Sequence, residues 1–266
     1  MRQLITQRAR MLHDIRAFFY QRDVLEVETP ALSQAGNTDP FIESFQVQTH
    51  EGMRYLHTSP EYPMKRLLAA GSGDIYQICK VWRAGESGYR HNPEFTLLEW
   101  YRLGFTYHQL MQEVEALLLH VLYSVQQASY FATYRQIFLE VLGLDPHIAK
   151  GSELQNCMAQ HQLDVECGEN ELDRSAMLDL LMTHCIEPTF SEGRLTFVYD
   201  YPVEQKALAA LGLGDSSDAG FDTSSDNYSD DSFDNSRSRD KVPVAQRFEV
   251  YLGLKEGAVE LGNGYQ

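Results

Sequence analysis

The sequence predicts an α+β fold. Two patterns carry that reading: long segments whose apolar residues recur at helical spacing, and short segments that alternate apolar and polar residues between turn formers. Composition supports it, since 43% of the 266 residues are hydrophobic and 23% charged, too apolar for a disordered chain. That length suits one large domain, or one domain with a small appendage.

In chain order, residues 3–22 read as a helix, with Ile5, Leu12, Ile15 and Phe19 on one stripe. Val24–Thr29 alternates like a strand and is closed by Pro30. Phe41–Thr49 and Met53–Thr58 are the next strands. A short helix opens at Ser59-Pro60-Glu61, where Ser59 can cap, Pro60 suits the first turn and Gly71 can stop it. Ile75–Arg83 and Phe95–Arg102 form a hairpin with an eleven-residue connection, a length more often functional than decorative. Thr106 can cap a helix running to Gln127, with Leu117-Leu118-Leu119 in its core. Helical stretches near 133–143, 152–162 and 170–185 make a helical insertion at about 130–190. Strands return at Leu195–Tyr201, Arg247–Leu254 and Ala258–Leu261. Residues 214–241, rich in Ser, Asn and Asp, read as a disordered acidic insert whose spacing lacks the glycine and terminal glutamate of an EF-hand loop.

Several functions are excluded early. No apolar run approaches the roughly 20 residues that cross a bilayer. Cys79, Cys157, Cys167 and Cys185 lie far apart with no CxxC pair, which fits a reducing cytoplasm rather than a disulfide scaffold or zinc ribbon. The net charge of −16 is uneven: residues 1–106 hold twelve basic and twelve acidic residues, so the excess lies beyond them. With no basic stripe, free nucleic-acid binding is not expected.

The hairpin carries the chemistry. Strand alternation places Phe95, Leu97, Glu99 and Tyr101 on one face, and Glu94, Thr96, Leu98 and Trp100 on the other. Arg83 would stand at the loop mouth as a planar donor fork suited to phosphate, with Gly85 and Gly88 allowing close backbone approach. His91 reads as a loop residue rather than a general base, and Cys79 as a small buried residue rather than a nucleophile.

The string Arg83-Ala84-Gly85-Glu86 through Arg90-His91-Asn92-Pro93-Glu94-Phe95-Thr96-Leu97-Leu98-Glu99-Trp100-Tyr101 resembles motif 2 of the class II aminoacyl-tRNA synthetases, of the lysyl type. Thr58-Ser59-Pro60-Glu61 resembles their amino-acid-binding turn, and the helix–strand–Pro30 start resembles motif 1. The resemblance extends to the truncated lysyl paralogues that modify elongation factor P, and runs from residue 3 to 266 outside the acidic insert. It implies an antiparallel sheet flanked by helices, in one synthetase-like core spanning 1–266, and a cytoplasmic homodimer.

It also implies roles. Arg83 would hold the α-phosphate of ATP, with Ala84, Gly85 and Glu86 lining the nucleotide, Asn92 contacting it and Phe95 stacking on adenine. Ser59, Pro60 and Glu61 would take the amino group of the amino acid, and Glu99 and Tyr101 would lie along a lysine or β-lysine substrate. Glu260 would hold Mg²⁺ and, with Leu261, ATP. The implied reaction is ATP-dependent formation of an aminoacyl-adenylate, then transfer to a lysine side chain of elongation factor P. Two departures are visible: Gly85 stands where the family has Glu, and motif 3 does not occur within the 266 residues. The second keeps two alternatives open, lysyl-tRNA synthetase-type aminoacylation and an inactive adenylate- or partner-binding paralogue.

Overall fold

A computed structural model describes residues 1–38, 42–88, 91–163, 172–214, 242–255 and 257–265. The acidic insert, Cys167, the start of the Phe41–Thr49 strand and Arg90 therefore lie outside the described residues. The chain divides into two compact units, Met1–Gly104 and Phe105–Gln266.

The first unit opens with α1 (Arg2–Tyr20), followed by β1 (Leu25–Glu26), β2 (Leu32–Ser33), β3 (Gln46–Thr49), β4 (Gly52–Leu56), α2 (Glu61–Ala69), β5 (Ile75–Trp82) and β6 (Glu94–Tyr101). These strands build two three-stranded sheets, ordered β1-β5-β6 and β2-β4-β3. The pairing is antiparallel except for β1, which runs parallel to β5. Ile15, Phe18 and Phe19 are the buried residues of α1. Phe19 stacks on Tyr76 at 4.4 Å between ring centroids and meets Trp100 edge-on at 5.5 Å. That sets Tyr76 and Trp100, at one end of the even-numbered face of the β5–β6 hairpin, against the helix, while Lys80 and Glu94 on the same face stay exposed; the odd-numbered face carries the candidate site residues. Predicted Val24–Thr29 shrinks to the two paired residues Leu25–Glu26, beyond which the Val27 N–H still donates to the Tyr76 carbonyl at 2.8 Å and the Thr29 hydroxyl reaches the Gln77 side chain at 3.0 Å. Phe41–Thr49 likewise shortens to Gln46–Thr49.

The second unit contains α3 (Tyr107–Val121), β7 (Tyr130–Thr133), α4 (Tyr134–Leu142), α5 (Gly151–Gln160), α6 (Arg174–Leu181), β8 (Leu195–Tyr201), β9 (Leu211–Gly214), β10 (Val242–Leu254) and β11 (Gly257–Tyr265). Its sheet runs β11-β10-β8-β7, with β9 also on β10. The β8, β9 and β11 pairings on β10 are antiparallel, whereas β7 joins β8 in parallel. Thr106 caps α3 in a reciprocal capping box with Gln109. The helix stops at Val121, where Leu122 turns extended, rather than at Gln127, and Leu119 is exposed instead of core. The helical insertion begins with a strand: Thr133 ends β7 and caps α4 through its hydroxyl. Helices α4, α5 and α6 contribute Ile137, Phe138, Leu154 and Leu178 to a core shared with Val198, Tyr201 and Tyr251 of the sheet.

Candidate active site

The β5–β6 register fixes the first unit's functional face. Val81 pairs with Phe95, Cys79 with Leu97, Gln77 with Glu99 and Ile75 with Tyr101, so these odd-numbered residues share one side. Arg83 lies one residue beyond β5, held by its N–H to the Pro93 carbonyl at 2.9 Å. Ala84 N–H donates to the Glu43 carbonyl at 2.8 Å, which ties the loop mouth to the segment before β3. Gly85 follows at φ +81, a conformation that favours glycine. The backbone here therefore favours Gly where the resemblance leads one to expect Glu. Glu86 reaches Arg83 across 3.6 Å. The Arg83 guanidinium sits 5.0 Å from the Phe95 ring centroid, with Nε 3.4 Å from the Thr58 carbonyl. Arg83 and Phe95 thus converge on one side of the hairpin, next to the Thr58-Ser59-Pro60-Glu61 turn. Asn92 is exposed in the connection, where His91 and Gly88 exchange backbone hydrogen bonds.

The turn and the hairpin meet at Glu99. Ser59 Oγ donates to Glu99 Oε2 at 2.6 Å and accepts the Glu61 N–H at 3.0 Å. Pro60, rather than Ser59, is the N-cap of α2, and Ser59 instead bridges the turn to the strand. Tyr101 donates its hydroxyl to Glu99 Oε1 at 2.8 Å. Burial raises the Glu99 carboxyl above its ordinary range; the Ser59 and Tyr101 donors oppose that rise, and the negative charge of Glu61 adds to it. Glu61 itself pairs with Lys65 at 2.6 Å. Lys65 was not among the expected site residues, although its i+4 spacing from Glu61 is visible in the sequence. Burial pushes the Cys79 thiol up to about 11, which disfavours a thiolate nucleophile.

In the second unit, Glu260 and Leu261 lie on β11. Glu260 is open to solvent on one side, yet the protein packed around its carboxyl and the neighbouring charge of Glu249 push it up to about 7. Glu249, on β10, was also missed. It accepts a 2.8 Å hydrogen bond from the Tyr201 hydroxyl, one from Tyr251 and an ion pair from Arg247. The strand at Arg247–Leu254 is legible in the sequence, but its pairing with β11 is not. A shift in register between Val250 and Tyr251 sets which residues face Glu260.

Comparison with known proteins gives consistent relatives. The family model described as tRNA synthetases class II (D, K and N) matches residues 1–266. An elongation factor P--(R)-beta-lysine ligase of Vibrio atlanticus is 40% identical over 267 residues, covering 98% of this chain and 72% of that protein. A protein of the same name from Vibrio cholerae is 41% identical with the same coverage. Another, from Pseudoalteromonas translucida, is 46% identical over 222 residues, covering 81% of this chain and 68% of that protein.

Proposed function

The chain belongs to the class II tRNA synthetases of the D, K and N group, and on that premise we propose that it is an ATP-dependent ligase for elongation factor P. It activates lysine or (R)-β-lysine as an aminoacyl-adenylate and transfers the acyl group to a lysine side chain of that factor. The observation that carries the reading is the junction at Glu99, where the Ser-Pro-Glu turn and the motif 2 strand share a half-buried carboxylate. Glu61 and Glu99 offer two carboxylates to a substrate with two ammonium groups. Keeping Glu99 charged in its buried setting is costly, and a bound ammonium offsets that cost. Arg83, with Phe95 beside it, suits the opposite end of the reaction, where an anionic phosphate and a flat base must be held.

Chemically, the substrate carboxylate is already ionised and needs no side-chain base. One of its oxygens attacks the α-phosphorus and the bond to pyrophosphate breaks; Arg83 holds the negative charge that develops on the phosphoryl oxygens. The neutral amine of the acceptor lysine then attacks the adenylate carbonyl, forming an amide and releasing AMP, and its proton leaves to solvent. Ala84, Gly85, Glu86 and Asn92 are assigned to the nucleotide, and Ser59, Pro60 and Tyr101 to the amino acid.

In the second unit, Glu260 and Leu261 are assigned to ATP and Glu260 to Mg²⁺. Glu260 offers one carboxylate to a dication; burial raises it, and the neighbouring charge of Glu249 adds to that rise. Among the described residues, no group of three or more His, Cys, Asp or Glu is arranged to hold a metal. Mg²⁺ commonly takes only one or two carboxylates together with phosphate oxygens and water. When bound, the ion neutralises phosphate charge. A cytoplasmic homodimer belongs to the same proposal.

Isotope exchange between ATP and pyrophosphate tests the first half-reaction. Exchange dependent on lysine or (R)-β-lysine is expected, and Arg83→Ala should lower it about 100-fold or more. Exchange by the Arg83→Ala protein at the unsubstituted rate would reject the assignment.

A further inference from the structure

We propose that Lys65 sets the affinity for the amino acid by competing with it: the Lys65 ammonium holds the Glu61 carboxylate until the substrate's own ammonium displaces it. The inference rests on the reading of Glu61 as a carboxylate that takes the substrate's amino group, and it adds a residue to that grip.

Glu61 and Lys65 stand one turn apart on α2, with Glu61 in the first turn. Lys65 Nζ lies 2.6 Å from Glu61 Oε1, a close charge-assisted hydrogen bond. The Glu61 end of the pair is tied to the site. Its N–H donates to Ser59 Oγ at 3.0 Å, and that same hydroxyl donates to Glu99 Oε2 at 2.6 Å. One hydroxyl therefore links the two acidic residues, and the Lys65 charge is felt at both. Burial is the chief influence raising the Glu99 carboxyl, Glu61 adds to it, and the Lys65 charge opposes it.

Lys65 carries the same chemical group as the substrate, a primary ammonium on a flexible alkyl stem. Two such ammonium groups on one carboxylate would stand close enough to repel. The Glu61 side chain is 21% exposed, so water screens that repulsion only in part. The Lys65 side chain is 43% exposed, and its stem can swing the charge into water at small cost. Displacement is thus charge for charge: Glu61 keeps a cationic partner throughout, and the substrate's hold on Glu61 is reduced by the ion pair it breaks. Met64, the neighbouring residue, is the buried anchor of α2, so exchanging Lys65 leaves the core intact. A pair that served only to support the helix would leave substrate affinity untouched or, by loosening Glu61, weaken it.

The test is the KM for (R)-β-lysine in pyrophosphate exchange by the full chain, with thermal unfolding of each variant as the control for folding. Lys65→Met, which keeps the stem and removes the charge, should lower that KM about two- to fivefold, the worth of a partly exposed ion pair. The KM for ATP should stay within about twofold. Lys65→Ala should show the same fall. Added ethylammonium, taking the place of the deleted amine, should raise the Lys65→Ala KM back towards the unsubstituted value, while tetramethylammonium at equal ionic strength should not. An unchanged or raised KM for (R)-β-lysine in both Lys65 variants overturns the proposal, and so does an equal response to the two added ions. Glu61→Gln separates this result from the underlying reading. It should raise the KM for (R)-β-lysine about tenfold or more, since it removes a charged hydrogen-bond partner. No rise there removes Glu61 from the substrate, and the competition with it; a rise there without a fall in the Lys65 variants overturns the competition alone.

Discussion

At Glu99 two donors, one neighbouring carboxylate and burial act on a single side chain, and their balance sets how the amino acid is gripped. Ser59 and Tyr101 favour the ionised form, burial and Glu61 disfavour it, and the net effect is a raised carboxyl. Glu99→Gln keeps the shape and removes the charge. It should raise the KM for (R)-β-lysine at least tenfold in pyrophosphate exchange and leave the KM for ATP within about twofold, because a hydrogen bond to a charged group is worth about 1.5–3 kcal/mol. An unchanged amino-acid KM would remove Glu99 from the substrate. The residues of this site were legible because a strand repeats every two positions: Phe95, Glu99 and Tyr101 share a face in any unbroken β6. Arg247 and Glu249 were not, since their partners depend on how a bulged strand pair comes to rest, whereas the i+4 spacing of Lys65 from Glu61 was visible but does not by itself mark a site residue.

Elements whose boundaries are written by local chemistry were placed well from sequence. The capping box at Thr106 starts α3 where expected, and Gly71 at φ +87 follows the end of α2. Elements defined by their partners were not. Strand β7 is four residues long, directly abuts α4 and owes its existence to parallel pairing with β8, which no local pattern announces. The close approach at Gly253 is equally invisible in sequence. A Cβ there would lie 2.0 Å from the Ser191 backbone carbonyl oxygen, where β10 passes the segment leading into β8. Gly253→Ala should therefore lower stability by about 2 kcal/mol or more, through overpacking against backbone that has little room to yield. Urea denaturation measures it, and a loss below about 0.5 kcal/mol would contradict the packing described for β10.

Across the whole molecule, pH acts through half-buried imidazoles as well as through carboxylates. Burial lowers His108 to about 4; for His147, burial, opposed by the Asp145 charge and helped by Arg135 and Arg174, also gives about 4. A depressed folded pKa means that the unfolded chain takes up protons first. The stability involved is fully present above the unfolded value near 6.5 and is lost as pH falls towards 4, up to about 3 kcal/mol for each residue. Denaturant melts at pH 7 and pH 4.5 should show that decline, with His108→Gln reducing it; a flat profile between them would contradict the desolvation of both half-buried rings. The family's overall plan was readable from one long string in the hairpin, whereas the division of the chain at Gly104 was not, because it reflects the density of packing rather than any residue pattern. The most direct test of the account is the intact mass of elongation factor P after incubation with this chain, ATP and (R)-β-lysine or lysine. The account predicts a gain of one lysyl or β-lysyl group on a lysine side chain, with one AMP and one pyrophosphate released for each. An unmodified factor, with the chain folded and both small substrates present, would contradict it.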